Sequence, residues 1–356
     1  MKNCEETNLL KEDQAHKKTG DLHADEEFYF QWHITDRCNQ RCAHCYHEKY
    51  CNGGELDKKQ LLESAGKMLA AAEKWGRYAT FSFTGGEPLL RQEELFEIAA
   101  YLDGHERAAY YDILTNGSLF DDSLISTVSR VKKLRRVQLS LEGSTAEIND
   151  RIRGKGSFLK TIAAIKKLKN AGLTVSIMTT VSRMNVKDIL PLIELLEKEG
   201  VDTFALERFI PEGQGKHMAD EVLSPGEIRK VFESVYEVGK VPRPMRILMY
   251  RPLFGLLDCN DPTVGAMCSV GNNALTIMPD GTILPCRRLP IALGNILVDN
   301  LFKIWYDSFL LWEIRNPANL KGKCGNCELI PICRGCRAAS FAKTGDYLAE
   351  DPQCWK

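Results

Sequence analysis

The sequence predicts an α/β fold: a parallel sheet, curled or open, followed by a cysteine-rich C-terminal segment. Three observations predict it. Strand-like and helix-like stretches alternate six times over about 210 residues, the pattern of βα units feeding a parallel sheet. Polar or glycine-rich residues follow every strand, at the strand ends where such folds gather their chemistry. The 13 cysteines of this 356-residue chain lie only between Cys4 and Cys51 and between Cys259 and Cys354.

The elements follow in order. Residues 1–27 are polar and read as a flexible tail. Residues 28–35 read as the first strand. Asp57 with Gln60 three residues on predicts a helix start, and Leu61, Ala65, Met68, Ala72 and Trp75 then share one helical face. Further strands are expected at 78–83, 109–114, 135–141, 173–181 and 201–209. Further helices are expected at 91–103, 121–130, 157–171, 187–199 and 224–238. Ser157 reads as an N-cap, and Gly172 and Gly200 as C-terminal stops. Beyond 240 the alternation ends. Residues 274–285 read as a hairpin turning at Asp280-Gly281, with short helices at 299–307 and 309–315. The rest reads as loop and cysteine, a segment that needs metal to hold it together.

Composition narrows the function. Apolar residues make up 44% and charged residues 27%, ordinary for a globular protein. The formal net charge of -1 argues against a surface built for nucleic acid. No secretory signal opens the chain and no apolar run is long enough to span a bilayer, which points to a cytoplasmic protein with no membrane partner. In a reducing compartment, clustered cysteines read as metal ligands rather than disulfides.

The sharpest cluster is Cys38-Asn39-Gln40-Arg41-Cys42-Ala43-His44-Cys45-Tyr46, just after the first strand. Three thiolates leave a fourth metal position open, which suits chemistry; a structural zinc completed by His44, His47 or Cys51 is the plainer alternative. After the second strand comes Thr84-Gly85-Gly86-Glu87-Pro88, after the third Thr115-Asn116-Gly117, after the fourth Ser140-Leu141-Glu142-Gly143, after the fifth Ser182-Arg183-Met184-Asn185, and at the sixth Glu207-Arg208. Taken alone, the Gly-Gly-Glu-Pro run is a tight strand-to-helix turn.

With its Cys-x3-Cys-x2-Cys triplet and Gly-Gly-Glu-Pro one strand later, the sequence resembles the radical S-adenosylmethionine (SAM) enzymes. The resemblance implies a partial (β/α)6 barrel over 28–240. It implies that Cys38, Cys42 and Cys45 hold a 4Fe–4S cluster whose fourth iron binds SAM, which is cleaved to methionine and a 5′-deoxyadenosyl radical. It implies SAM contacts from Gly85, Gly86, Glu87 and Pro88 to the amino group, and from Ser140, Glu142, Arg151 and Arg153 to the ribose and carboxylate. Asn116 would face the same pocket, and Val181 with the 207–213 stretch would lie near adenine. Most relatives carry Asp where this chain has Glu142. Arg151 and Arg153 read equally well as a solvated helix entry.

Residues 241–356 resemble the SPASM extension of the same family, a cysteine-rich iron–sulfur domain with two auxiliary 4Fe–4S clusters. By that resemblance Cys268, Cys286 and Cys336, with Cys259, would hold the first cluster. Cys324, Cys327, Cys333 and Cys354 would hold the second. The spacer Arg334-Gly335 is one residue shorter than the usual pattern, and a pair of zinc sites is the plainer alternative. Cys4 and Cys51 match nothing and read as free thiols.

The resemblance covers 28–356 and is specific for reaction class. It implies an oxidoreductase fed by an external donor such as flavodoxin or ferredoxin. The substrate reads first as a ribosomally made peptide or protein, given a thioether, a crosslink or an oxidation. The alternative is a tetrapyrrole side chain in haem or haem d biosynthesis, which the 333–354 tail resembles equally. Sulfatase maturation fits less well, because Arg287 follows Cys286 where those enzymes carry Asp. With 27 residues before the first strand, no separate leader-binding domain is expected there. From another class stands a non-catalytic metal carrier or scaffold, which has no use for a SAM pocket. No residue stands out as a catalytic base.

Overall fold

A computed structural model of the chain describes residues 26–51 and 53–356. The expected tail over 1–27 lies outside them except for its last two residues.

The first strand, β1 (Glu27–His33), alternates in burial. Phe28, Phe30 and Trp32 are fully buried. They face a helical layer: the Phe28 ring stacks on Trp75 with centroids 4.2 Å apart and meets Trp305 edge-on at 4.8 Å. Burying each such ring contributes about 1.5–3 kcal/mol. The other parity, Tyr29, Gln31 and His33, therefore faces the opposite side of the sheet.

Helix α1 (Lys58–Lys74) begins with the expected capping box, Asp57 accepting from the Gln60 N–H and Gln60 reaching back. Then come β2 (Tyr78–Thr84), a 3₁₀ turn at Pro88–Arg91, α2 (Gln92–Asp103), β3 (Ala108–Thr115), α3 (Asp122–Val128) and β4 (Leu134–Ser140). Two helices follow β4 where one was expected: α4 (Ala146–Arg153), capped by Thr145, and α5 (Ser157–Asn170). Ser157 is the first helical residue rather than the cap. Gly156, at φ +80°, holds the cap position, and the Ser157 hydroxyl bonds Asp150 instead. The series closes with β5 (Val175–Val181), α6 (Ile189–Lys198), β6 (Thr203–Arg208) and α7 (Pro225–Gly239). Gly172 and Gly200 both take φ +74° just past their helices, as expected of stops.

Strands β1 to β6 pair in parallel and in order. The sheet does not stop at 240. A short β7 (Arg246–Leu248) adds in parallel to β6. At the other edge β8 (Ala274–Ile277) pairs in parallel with β1 and antiparallel with β9 (Thr282–Leu284), which pairs with β10 (Gly294–Asn295). The expected hairpin is present, its Gly281 at φ +83°, and it also extends the sheet to ten strands in the order β10-β9-β8-β1-β2-β3-β4-β5-β6-β7. The C-terminal segment is thus fastened onto the first strand. It carries α8 (Leu301–Asp307), α9 (Phe309–Arg315) and, where loop was expected, a third helix, α10 (Arg337–Thr344), closed by Gly345 at φ +75°. Among the described residues no helix is long and apolar enough to cross a membrane.

Candidate metal centre

All the motif-bearing turns meet at the C-terminal ends of β1 to β6. The loop after β1 carries Cys38, Cys42 and Cys45, and the turn after β2 is pressed onto it. Gly86 N–H donates to the Thr35 carbonyl and Glu87 N–H to the Arg37 carbonyl, each at 2.8 Å. A Cβ at Gly85 would stand 2.2 Å from the Thr35 oxygen, and one at Gly86 2.3 Å from the Arg37 oxygen. Glycine is required there by contact distance, with φ +148° at Gly85 as a second reason. From the other side, Gly215 N–H donates to the Cys45 carbonyl (2.8 Å) and Gln214 N–H to that of His47 (2.9 Å). The Ala43 N–H reaches the Ile152 carbonyl of α4 at 2.8 Å.

The thiols sense one another. Burial pushes Cys38 up to about 11, with Glu87, Cys42 and Cys45 adding to it. Burial also raises Cys42, opposed by Arg153 and reinforced by Cys45. Backbone N–H groups of Gln40 and His47 point at the Cys38 and Cys45 sulfurs, 3.4 Å away. Among the described residues no group of three or more His, Cys, Asp or Glu side chains stands in a finished metal-binding arrangement. The donor set is nevertheless all sulfur, and thiols that resist ionising alone favour a cationic iron or zinc partner. Of the side chains that could complete a zinc site, His47 is engaged at both ring nitrogens, His44 at Nε2 with its buried Nδ1 left without a partner, and Cys51 is exposed. His47 Nε2 contacts the Gly85 carbonyl at 2.9 Å and Nδ1 faces Asp36 at 3.4 Å. His44 Nε2 faces Glu142 at 3.4 Å.

Glu87 is fully buried, and burial raises its carboxyl. Oε1 accepts from Thr115 Oγ1 (2.7 Å) and Leu89 N–H (3.1 Å), and Oε2 from Asn116 N–H (2.8 Å). A carboxylate has about four lone-pair directions, so one remains for a further donor. The Asn116 amide bonds Asn39 (2.9 Å), tying the third strand's turn to the cysteine loop. Glu142 is buried and split between Arg153 Nη1 (2.8 Å) and Thr180 N–H (2.7 Å). Arg153 Nε is buried without a partner, and its carbonyl lies 3.8 Å from Cys42 Sγ. Ser140 ends β4 on the inner face, half-exposed, and Val181 ends β5, buried. Arg151 departs from the expectation. It is exposed and donates to the Met184 carbonyl at 2.6 Å, in the loop after β5. On a helix, residues two apart do not share a face, so Arg151 and Arg153 could not both point inward.

The C-terminal thiols form two groups. Burial pushes Cys268 up to about 12, with Cys336 and Cys286 adding to it; Cys286 is likewise raised by burial and by Cys336. Burial pushes Cys333 up to about 12, helped by Asp351 and Cys354. Burial raises Cys354, helped by Asp351, Cys324 and Cys327. Cys259 packs with the large core that also contains Cys327, Cys333 and Cys354, whereas Cys286 and Cys336 belong to a smaller one. No disulfide joins the described cysteines. Cys4 lies outside the described residues.

One buried ion pair fixes this segment to the barrel. Both Arg208 guanidinium arms hold Asp351, at 2.7 and 2.6 Å. Burial alone would raise the Asp351 carboxyl, but Arg208 holds it below the ordinary range. Asp351 also accepts from the Cys336 N–H (2.7 Å). No sequence motif announced this pair, which joins residues 143 positions apart.

The profile of the Radical SAM superfamily matches residues 32–196, and that of the SPASM iron–sulfur cluster-binding domain matches 268–337. The AdoMet-dependent heme synthase of Methanosarcina barkeri is 31% identical over 341 residues, which cover 91% of this chain and 95% of that protein. The chain belongs to the radical SAM superfamily. Another relative of this radical SAM enzyme is the mycofactocin maturase MftC of Mycolicibacterium smegmatis, 29% identical over 91% of this chain and 81% of its own. Streptococcus suis SuiB bound to its precursor peptide SuiA shares the fold, with a TM-score of 0.73 at 18% identity over 93% of this chain and 76% of that one. The protein is therefore an enzyme whose cofactors are 4Fe–4S clusters and S-adenosylmethionine, on an α/β fold with a cysteine-rich iron–sulfur extension.

Proposed function

We propose that Cys38, Cys42 and Cys45 hold the SAM-binding cluster and that the enzyme modifies a tetrapyrrole side chain. When bound, cluster and SAM supply reductive cleavage to methionine and a 5′-deoxyadenosyl radical that abstracts a substrate hydrogen. The chain's own part is binding and aiming. Gly85 and Gly86 give SAM a close backbone approach, with Pro88 setting the turn. The remaining lone pair of Glu87 accepts from the amino group, as a buried carboxylate beside an ammonium should. Arg153, with its unpartnered Nε, takes the carboxylate and is itself aimed by Glu142. Ser140, Asn116 and Val181 complete the wall.

In this reading Cys268, Cys286 and Cys336 hold one auxiliary cluster, and Cys259 is the candidate for its fourth ligand although it packs with the larger core. Cys324, Cys327, Cys333 and Cys354 hold the other. The barrel runs over 28–240 with β7 and β8 added to its edges, and the auxiliary domain fills the rest of 241–356. Electrons come from a flavodoxin- or ferredoxin-type donor.

The observation that carries the substrate is the full-length likeness to a haem synthase. The likeness to a peptide maturase at 29% identity supports the second reading, a peptide or protein substrate. Anaerobically reconstituted enzyme with SAM and reductant tests the two. Iron coproporphyrin III, a tetracarboxylate tetrapyrrole, should change mass in step with 5′-deoxyadenosine. An unchanged tetrapyrrole beside a modified peptide encoded next to this gene would turn the reading to peptide maturation.

A further inference from the structure

Arg337 opens α10 directly behind Cys336, and its side chain is buried, at 4% exposure. One guanidinium arm, Nη1, donates to the carbonyls of Tyr347 (2.9 Å) and Ala349 (2.8 Å). The other, Nη2, donates to the sulfur of Cys324 at 3.6 Å, a hydrogen-bond length for an acceptor as large as sulfur. The Asp351 N–H reaches the same sulfur at 3.4 Å. Gly335 keeps the approach open. A Cβ there would stand 2.4 Å from Arg337 Nη2 and 3.0 Å from the Cys324 sulfur, and the residue takes φ +64°.

Among the described residues Arg337 forms no ion pair. The acids around it are committed elsewhere. Asp346 feels its charge but pairs with Lys321 at 2.6 Å, and Asp351 is held by Arg208. Arg337 Nε is buried without a partner. A buried guanidinium with no anion of its own is costly, and thiolates bound to a metal cluster supply the missing negative charge. The surroundings of Cys324 therefore fit a thiolate-bound cluster better than neutral thiols. Neighbouring groups differ. Cys327 and Cys336 accept from backbone N–H groups, of Leu329 and Ala339, each at 3.4 Å. Arg315 and Arg334, which line a cavity of about 200 Å³ beside Cys268 together with Arg337, are half-buried and donate to the Gly271 and Arg315 carbonyls, at 2.8 and 3.1 Å.

We propose that Arg337 raises the reduction potential of the second auxiliary cluster, holding it easier to reduce than the same cluster beside a neutral side chain. The proposal rests on the reading that Cys324, Cys327, Cys333 and Cys354 hold a 4Fe–4S cluster. Taking up one electron makes such a cluster more negative by one charge. A hydrogen bond to a ligand sulfur and a fixed positive charge beside it both favour the more negative state, and low dielectric strengthens both. Arg337 acts through Cys324 and touches no reacting atom, so it is a positioning residue.

The test is a redox titration of the reconstituted holoenzyme followed by electron paramagnetic resonance, with dithionite supplying the electron. Cys354→Ala marks the signal of the second cluster by perturbing it. Arg337→Met should lower the potential of that signal by at least about 59 mV, a tenfold change in a one-electron equilibrium constant. The other two clusters should move by less than about twofold in the same constant. Arg337→Lys keeps the charge but loses the fork, and should recover part of the shift. Iron and sulfide content report whether each variant is loaded, and Arg337→Gln replaces Arg337→Met where that variant is not. A role confined to tying the Tyr347 and Ala349 carbonyls would lower stability without moving a potential. Loaded variants with unmoved potentials therefore overturn the proposal, as does a shift confined to the cluster assigned to Cys268, Cys286 and Cys336. Zinc without sulfide at the C-terminal thiols overturns the cluster reading and the proposal with it, so metal analysis tells the two failures apart.

Discussion

The two cysteine regions are built in opposite ways. The triplet at 38–45 sits on a loop held by backbone: glycines at 85 and 86 packed against Thr35 and Arg37, and Gly215 donating to Cys45. The thiols at 268–354 sit in a segment with little regular structure, joined to the barrel by the short β8–β1 pairing and by Arg208–Asp351. In the proposed assignment the first site is shaped by backbone contacts, whereas the second draws its thiols from far along the chain, so that a metal there would do structural work as well. A reaction centre needs geometry that survives the loss and return of its ligand. An auxiliary segment can instead fold around its metal.

The largest effect should come from the triplet. Cys42→Ala should reduce 5′-deoxyadenosine formation to background and lower iron from about twelve to about eight per chain, the loss of one 4Fe–4S cluster of three. Retained SAM cleavage would break the comparison at its first term. Next, Arg208→Ala should strand Asp351 in the interior and cost about 3–5 kcal/mol in urea unfolding, with iron lost from the C-terminal segment first. If iron leaves the triplet first, the ion pair does not hold the segment that the comparison assigns to it.

Gly86→Ala should cost about 1–3 kcal/mol, because its Cβ would fall on a backbone carbonyl that cannot move aside. SAM affinity should fall with it while the C-terminal clusters stay loaded. Chelation of all iron sharpens the contrast differently: limited proteolysis should then cut within 259–354 well before the β1–β6 core. Equal protection of both would mean the C-terminal segment folds without metal. The smallest effect belongs to Arg151→Ala, which should change stability by no more than about 0.5 kcal/mol, as at other exposed sites. SAM cleavage should stay within about twofold there, whereas Arg153→Ala should weaken SAM binding by about tenfold or more.

Much of this was legible from residues alone. The βα alternation, the Asp57 capping box, the glycine stops at 172 and 200, and the rim position of every motif follow from local rules of period and capping. Local signals were also present for what was missed. Thr145 and Gly154 bracket α4, and Cys336 and Gly345 bracket α10. The density of charge in the first and the position of the second directly behind the 324–336 cysteine run hid their helical period.

Other features had no local signal. The parallel pairing of β8 with β1, the bond of Arg151 to the Met184 carbonyl, the attachment of His47 to Gly85, the Arg208–Asp351 pair and the contact of Glu207 with Arg288 depend on which distant segments meet. By itself the sequence determined most of the elements and the cysteine spacing, because hydrophobic period, capping and ligand spacing act over a few residues, and its resemblance to the radical SAM enzymes implied the reaction class. Only the tertiary structure decided how the C-terminal thiols reach the barrel and which arginine lies against them. Ion pairing and burial are set by through-space distance, which the order of residues along the chain does not specify.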